Sequence, residues 1–542
     1  MASPKSLYPF RRHVPNSQTP NALFEHYYEC ASDDETVLQV WCYTDKLSYR
    51  VGETVQFYVS TTAKKYELLI AREGQRLEPV AHYNNLPGLF YKAPADCSVN
   101  GCNWPVGFEL TIPGDWRSGA YIITARVLSQ EGKAFDQHHI IFVRSEKPAP
   151  LLLIAATSTW LAYNDWGGSN HYQGITGPDK NQYSPIVSTQ RPFSKGFVVL
   201  PKGAPRIPIR ERLAAGAIPR YPHMEWSYAQ GYSKKYASAG WASYERHFVR
   251  WAEAEGFDLD IASQHDLHFG QVDLSHYKAA IMVGHDEYWS WEMRDQVDQY
   301  VRLGGQVARF GGNFLWQIRF ENDGQTQVCY KYRFEKDPYL HDVEKQHLTT
   351  TCWEAEPVNR PGSSTVGLNG TRGFYAGWGV AVPRGSGGFT VYRPEHWLFK
   401  DTDLYYGDVF GTEAKIFGYE VDGLDYYVQD GLPFPEKAEE AKNIDILAMG
   451  LATLAEDDHG LEGAELFMGE EDLNFVARAL GVNDKAGKEK LKRAAGMIVT
   501  YHNGKGLVVS AGTCEWVAGL IHQDFFTQQI TRNVLTRFLF ER

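Results

Sequence analysis

No apolar run in this sequence approaches the length of a membrane span, so no transmembrane helix is expected. The N-terminus, MASPKSLYPFRRH, lacks the apolar stretch of a signal peptide. Basic residues are in the minority. Lys and Arg number 54 against 66 Asp and Glu, a net charge of -12, which argues against a nucleic-acid binder with its basic face. Cysteine is scarce: seven in 542 residues do not make a disulfide framework. Cys97 and Cys102 form a C-x4-C pair in an Asn-Gly loop, but no second Cys/His pair at zinc-site spacing accompanies them. Free thiols and a cytoplasmic location are expected. Also missing are a G-x-S-x-G elbow between strand and helix, a dinucleotide or P-loop fingerprint, and H-E-x-x-H. There is no internal repeat.

What is present is an ordinary globular composition, long enough for roughly two to four domains. Residues 1–36 read as an irregular N-terminal arm. Residues 37–147 hold short alternating runs, VLQVWCYT, TVQFYVST, YELLIAR, FELTI, AYIITARVL and HHIIFVR, separated by turn signals. Such alternation predicts an antiparallel, Ig-like β-sandwich. SEKPAP, Ser145 to Pro150, marks a boundary. Beyond it, residues 148–542 read as an α/β domain. LLLIAA, residues 151–156, suits a strand buried on both faces, and the aromatic loop TSTWLAYNDWGGSNHYQG follows it. Residues 170–240 read as long excursions covering the site. A helix is predicted over 243–255 and a terminal helix over 525–540. Between them, 436–495 reads as a charged, peripheral helical insertion, and Asn503-Gly504 as a hairpin turn. Strands alternating with helices predict a three-layer domain with a mostly parallel sheet.

The chain is organised around Tyr277 to Trp316, which reads as strand, helix, strand. The first strand ends in His285, Asp286, Glu287 and Tyr288. In parallel sheets ligands bind at the carboxyl ends of the strands. Adjacent side chains diverge, so at most two of these four are expected to share a site. Tyr288 reads either as an aromatic lid with a capped hydroxyl or as a phenolate ligand or proton donor. Tyr244 and His247 lie on the apolar face of their helix, where core packing with a satisfied polar tip competes with a functional role. By residue type Glu335 is a surface charge. Glu515 follows an apolar run that ends at a glycine, which places it at the same sheet end as Tyr288. Cys514 is a candidate nucleophile without a local signature.

At these residues the sequence resembles the N,N-dimethylformamidase large-subunit family. The matching pieces include YTDKLSYRVGETVQFYVS, FVRWAEAEGFDLDIASQHDLH, GHDEYWSWEMRD, GGQVARFGGNFLWQIRFE, VCYKYRFEKDP, PVNRPGSSTVGL, EHWLFKDTDL and SAGTCEWVAGL. The resemblance implies a glutamine-amidotransferase-like α/β domain with an attached β domain. It implies an amide hydrolase with one iron ion, Fe3+, held by two Tyr and one carboxylate. Three anionic oxygen ligands would neutralise such an ion, which would act as a Lewis acid. By the same resemblance Tyr288 is one ligand and Glu335 the carboxylate, with Glu354 and Glu356 competing. Tyr244 or His247 completes the set. Asn359, Glu515 and His285 become the polar and acid/base residues, and zinc is the second choice of metal. The substrate implied is a small N-substituted amide such as N,N-dimethylformamide, with the aromatic loop lining its pocket. A small partner subunit and a homo-oligomer are the implied assemblies. Two other readings stand beside this one: a non-catalytic binder of carbohydrate or protein, and an amidase using Cys514.

Overall fold

The computed structural model describes residues 9–13, 27–144, 146–175, 184–206, 222–373, 388–418, 420–453, 470–491 and 493–540. The described part of the N-terminal arm is not wholly irregular, since Arg11–His13 pairs antiparallel with Tyr27–Glu29. The alternating runs that follow form two facing sheets. One has three strands, Val40–Thr44, Thr54–Thr61 and Val106–Thr111. The other has five: Ser48–Arg50, Lys65–Glu73, Leu77–Pro87, Gly119–Leu128 and Ala134–Arg144. Val55, Phe57 and Val59 of the first meet Leu68, Ile70, Ile123 and Ile141 of the second in one apolar core. Period-2 alternation sends every second side chain inward.

The five-stranded sheet also buries its outer face. Ala120, Ile122, Ile140 and Phe142 pack into the core of the α/β domain. This is why AYIITARVL and HHIIFVR are apolar at both parities. Polar contacts close the same seam. Arg72 pairs with Glu253 at 2.7 Å, and Glu73 receives Arg246 at 2.6 Å, Arg250 at 2.9 Å and the Trp241 indole at 2.6 Å.

The main sheet has nine strands: β1 (Leu151–Ala155), β2 (Leu259–Ser263), β3 (Ala279–His285), β4 (Gln306–Gly312), β5 (Phe389–Val391), β6 (Val409–Phe410), β7 (Ile444–Thr453), β8 (Arg493–Asn503) and β9 (Gly506–Ala511). Their spatial order is β2-β1-β3-β4-β9-β8-β7-β5-β6. The first five are mutually parallel, and the remaining pairings are antiparallel. The parallel part is therefore half of the sheet rather than most of it. The tight turn at Gly504, φ +63°, returns β8 straight into β9 and leaves no length for a crossover.

Both faces of the parallel half are covered. Ile281 and Val283 of β3 face one core, and Ala280 and Met282 face the other. On the first side lie α2 (Glu245–Ala254), α4 (Trp516–Ile521) and α5 (Phe525–Phe540), through Phe248, Trp516 and Val534. On the second lies α3 (Trp291–Arg302), through Met293, Val297 and Val301. Ser290 caps α3 by accepting the Met293 amide.

Two expectations need correction. Segment 436–495 is not simply a peripheral helical insertion, because β7 runs through it and pairs with β8 along its length. The flanking charges obscured a strand, IDILAMGLAT, whose interior positions 446–449 are buried. Likewise, the stretch read as an aromatic loop begins as a helix, α1 (Thr157–Tyr163). Residues 176–183 and 207–221 of the expected covering excursions lie outside the described residues. No helix among the described residues is long and apolar enough to cross a membrane.

His139 sits at the domain seam, stacked on Phe193 with ring centroids 5.6 Å apart. Its Nε2 lies 2.8 Å from the Thr44 hydroxyl. Because that hydroxyl donates to the Lys46 carbonyl, it accepts from the ring, which sets the neutral Nε2–H tautomer. Burial holds the imidazole down at about 3. A depressed histidine contributes stability that is complete above its unfolded value and is lost as pH falls toward its folded one. His139→Gln should therefore flatten the acid limb of stability between about pH 6 and about pH 4 by about 1.4 kcal/mol per pH unit, read from urea melts across that range. An unchanged slope would remove His139 from the acid response.

Candidate active site

The polar cluster sits where the parallel strands end. In extended chain, residues two apart face the same way. His285 and Glu287 accordingly face a common chamber, while Asp286 turns to the opposite side and meets Arg309 at 3.2 Å. Gly284 lets this happen. Its φ is +77°, and a Cβ there would lie 2.5 Å from the Tyr244 Cβ. Only glycine allows Tyr244 to rest against the strand end, where its ring centroid is 6.5 Å from that of His285.

His285 donates from Nδ1 to the Ser238 carbonyl at 2.6 Å. This leaves Nε2 facing two carboxylates, Glu420 at 2.7 Å and Glu287 at 3.2 Å. Burial disfavours the charged ring, but Glu420 and Glu287 outweigh it and raise His285 to about 10. The imidazolium works back on its partners. Burial raises Glu420, whereas His285 and Lys331 overcome burial and lower Glu287.

Glu287 is the hub. The Trp316 indole donates to it at 2.6 Å, and the Tyr172 hydroxyl lies 2.9 and 3.1 Å from its two oxygens. Tyr288 in turn donates to the Tyr172 oxygen at 2.8 Å. Three of the four residues His285 to Tyr288 thus share the site, one more than divergence allows. Tyr288 reaches it through its long phenol and the bridging Tyr172. The Lys331 ammonium lies 3.5 Å from the Tyr172 ring centroid, and Lys235 lies 4.7 Å from it.

The other wall comes from the segment after β9. The Cys514 amide donates to the Glu420 carbonyl at 3.0 Å, which sets Glu420 beside the strand end. A Cβ on Gly312 would lie 2.6 Å from both the Cys514 nitrogen and the Glu420 oxygen, so the GGN motif makes room for two backbones. Glu515 pairs with Arg206 and lies 3.3 Å from the Tyr244 hydroxyl. Behind this wall Arg309 is fully buried. It reaches Asp422 at 2.6 Å as well as Asp286, and Asp422 also accepts the Phe314 amide at 3.0 Å.

Ligand atoms of His285, Glu420 and Cys514 lie within 4.8 Å of one another, the one such His, Cys, Asp or Glu group of three among the described residues. The phenols of Tyr172 and Tyr288 with Glu287 make a second grouping, all oxygen. Oxygen donors of this kind fit a hard cation.

Residues 72–528 match the family model described as N,N-dimethylformamidase beta subunit-like, C-terminal. The chain belongs to this family. The N,N-dimethylformamidase beta subunits of Alcaligenes sp. and Paracoccus aminophilus are each 23% identical to it, over 475 and 477 residues. Those matches cover 82% of this chain, which spans 55% of the length of each of these relatives. Among solved structures, the PmoD soluble domain of Methylocystis sp. matches 20% of the chain at 11% identity with a TM-score of 0.13, too slight a likeness to bear on the fold.

In this family member the structure brings together His285, Tyr288, Tyr244, Cys514 and Glu515. It does not bring in the rest of the expected set. Glu335 lies in a surface 3-10 turn, half exposed and paired with Arg478 at 3.3 Å. Asn359 is exposed at φ +47°, ending a helical turn through its amide to the Ala355 carbonyl. His247 donates to the Ala242 carbonyl at 3.2 Å, and burial together with Arg206, Arg246 and Arg250 keeps it neutral. Glu354 instead accepts the Thr371 hydroxyl, and Glu356 is exposed. Glu287 and Glu420 are the carboxylates that stand beside His285, and Tyr172 is the phenol beside Tyr288. Sequence reasoning left these roles unassigned because nothing in local spacing joins residues 172, 287 and 420. Glu287 was visible only as part of the HDEY cluster.

Arg309→Met would leave Asp286 and Asp422 buried without their cation. It should destabilise the protein by about 3–5 kcal/mol in denaturant unfolding. A loss below about 1 kcal/mol would mean that the two carboxylates find other partners.

Proposed function

We propose that this chain hydrolyses the C–N bond of a small N-substituted amide, the class to which the relatives' N,N-dimethylformamide belongs, releasing a carboxylic acid and an amine. The observation that carries the reading is the charged chamber at the carboxyl end of the parallel strands: an imidazolium, three carboxylates and three phenols converge there in a member of this family. Glu515, held by Arg206 and Tyr244, takes a proton from the attacking water and returns it to the leaving amine. His285, kept charged by Glu420 and Glu287, stabilises the oxyanion that develops at the carbonyl.

An iron ion fits the all-oxygen donors. Tyr172, Tyr288 and Glu287 would hold it, and it would supply Lewis acidity toward the amide carbonyl. Burial and Glu287 keep the Tyr172 phenol protonated, so a strong positive charge is needed to ionise it. The mixed group of His285, Glu420 and Cys514 favours zinc as the second reading, since zinc accepts nitrogen, oxygen and sulfur donors. The relatives are named as beta subunits, which supports assembly of this chain with a second kind of subunit.

The test is metal content and the visible spectrum of the purified protein, with amide turnover alongside. Roughly one iron per chain, and a phenolate band that Tyr172→Phe and Tyr288→Phe abolish but Tyr244→Phe leaves in place, is the expected result. Glu515→Gln should lower kcat by about 10²–10⁴-fold while the band persists. A colourless zinc protein would replace the first metal assignment with the second. Full amide turnover by Glu515→Gln would overturn the role of Glu515.

A further inference from the structure

Several charges of the chamber are paired. Glu420 and Glu287 share His285, and Glu515 has Arg206. Lys235 has no such partner. Its ammonium lies 4.7 Å from the Tyr172 ring centroid and 5.9 Å from that of Tyr163. Among the described residues, no carboxylate pairs with it and no acceptor bonds it. Burial lowers its pKa, and Asp165, Glu287 and Glu420 oppose this only at longer range.

Its place is nonetheless fixed. On one side the Ser233 hydroxyl accepts the Lys235 amide at 3.0 Å and donates to buried Asp165 at 2.9 Å. On the other, the Ser238 carbonyl receives His285 at 2.6 Å. The segment is therefore pinned at both ends, with Lys235 turned toward the tyrosines between them. The head lies over the rings of buried Tyr163 and half-buried Tyr172. Tyr163 also packs on His285, with ring centroids 5.3 Å apart.

We propose that Lys235 binds a carboxylate, and that the amide cleaved by this chain carries that carboxylate close to its C–N bond, as an N-acyl amino acid does. The closeness follows from the geometry, since Lys235 lies over Tyr172, whose hydroxyl bonds Glu287 beside His285. Lys235 is in this account a substrate-binding residue that sets specificity. The inference rests on the hydrolase reading for the reaction, but not for the binding.

The experiment compares N-formylglycine with the neutral N-methylformamide, using the wild-type protein, Lys235→Met and Lys235→Arg, each with its melting temperature checked. The wild type should favour N-formylglycine in kcat/KM by about tenfold or more. Lys235→Met should remove that preference mainly through KM, and Lys235→Arg should restore most of it. A preference for the neutral amide, or an equal effect of Lys235→Met on both substrates, would overturn the proposal. Calorimetric titration with N-formylglycine separates the two readings. Should no amide be cleaved, the hydrolase proposal fails, and binding to the wild type that Lys235→Met weakens about tenfold or more would still support the anion site. Equal binding, or none, would refute it.

Discussion

A guanidinium cut off from water holds the site in place. Arg309 projects from β4 and joins Asp286, at the end of β3, to Asp422, two residues beyond Glu420. Three separate parts of the chain meet at one charge. Buried ion pairs add little to net stability, but removing one partner is costly, so the geometry is strongly specified. Further bonds saturate both carboxylates: the Trp289 indole on Asp286 at 2.8 Å, and the Phe314 amide on Asp422. With Asp286 committed to this side, alternation turns His285 and Glu287 to the other. The chamber's first two groups are thus placed by a residue that faces away from it.

The chamber is an exercise in charge balance at low dielectric. Carboxylates, phenols and cations are packed where water cannot screen them, and each influences the next. Glu420 and Glu287 raise His285, while Lys331 and His285 lower Glu287. Such reciprocal shifts are typical of functional sites, because chemistry needs groups held in states that water would not favour. Two close approaches make it possible. Gly284 admits Tyr244 to the end of β3, and Gly312 admits the backbones of Glu420 and Cys514 to the end of β4. A side chain at either position would force the walls apart.

The β-sandwich reaches the site without lining it. Glu73, on its five-stranded sheet, gathers Arg246 and Arg250 of α2 and the Trp241 indole. Tyr244 lies between Trp241 and Arg246 in sequence, at the position just before α2. The sandwich therefore fixes the helix end that carries Tyr244 toward Glu515. Ala120, Ile122 and Phe142 complete the union with apolar packing.

Local pattern was enough for the elements whose surroundings repeat along the chain. Alternation in TVQFYVST marked a strand with one face in a core, and the two-sided apolar run at 279–283 marked a strand between helix layers. HDEY after such a run located the cluster at a strand end, and the glycine before Thr513 put Glu515 nearby. Strand β7 was not legible, because its partner β8 is what makes its alternation meaningful and charged segments flank both. The site was half legible for a similar reason. His285 and Glu515 follow β3 and β9, the two strands that flank β4, and Tyr288 comes three residues after His285, so sequence alone could set them at one sheet end. Tyr172, Glu420 and Lys235 lie in irregular segments and Lys331 opens a 3-10 turn, and their meeting depends on Arg309, Arg191 and two glycines that let distant backbones approach. Arg191, fully buried, bonds the carbonyls of Asn164, Ser169 and Ser188 and so shapes the loop that ends in Tyr172. Glu335 and Asn359 show the converse, since their segments fold with those side chains outward. Sequence determined which groups stand at strand ends, because periodicity is a local property. Only the tertiary structure decided which carboxylates and phenols complete the site, because the free energy that brings them there belongs to long-range contacts.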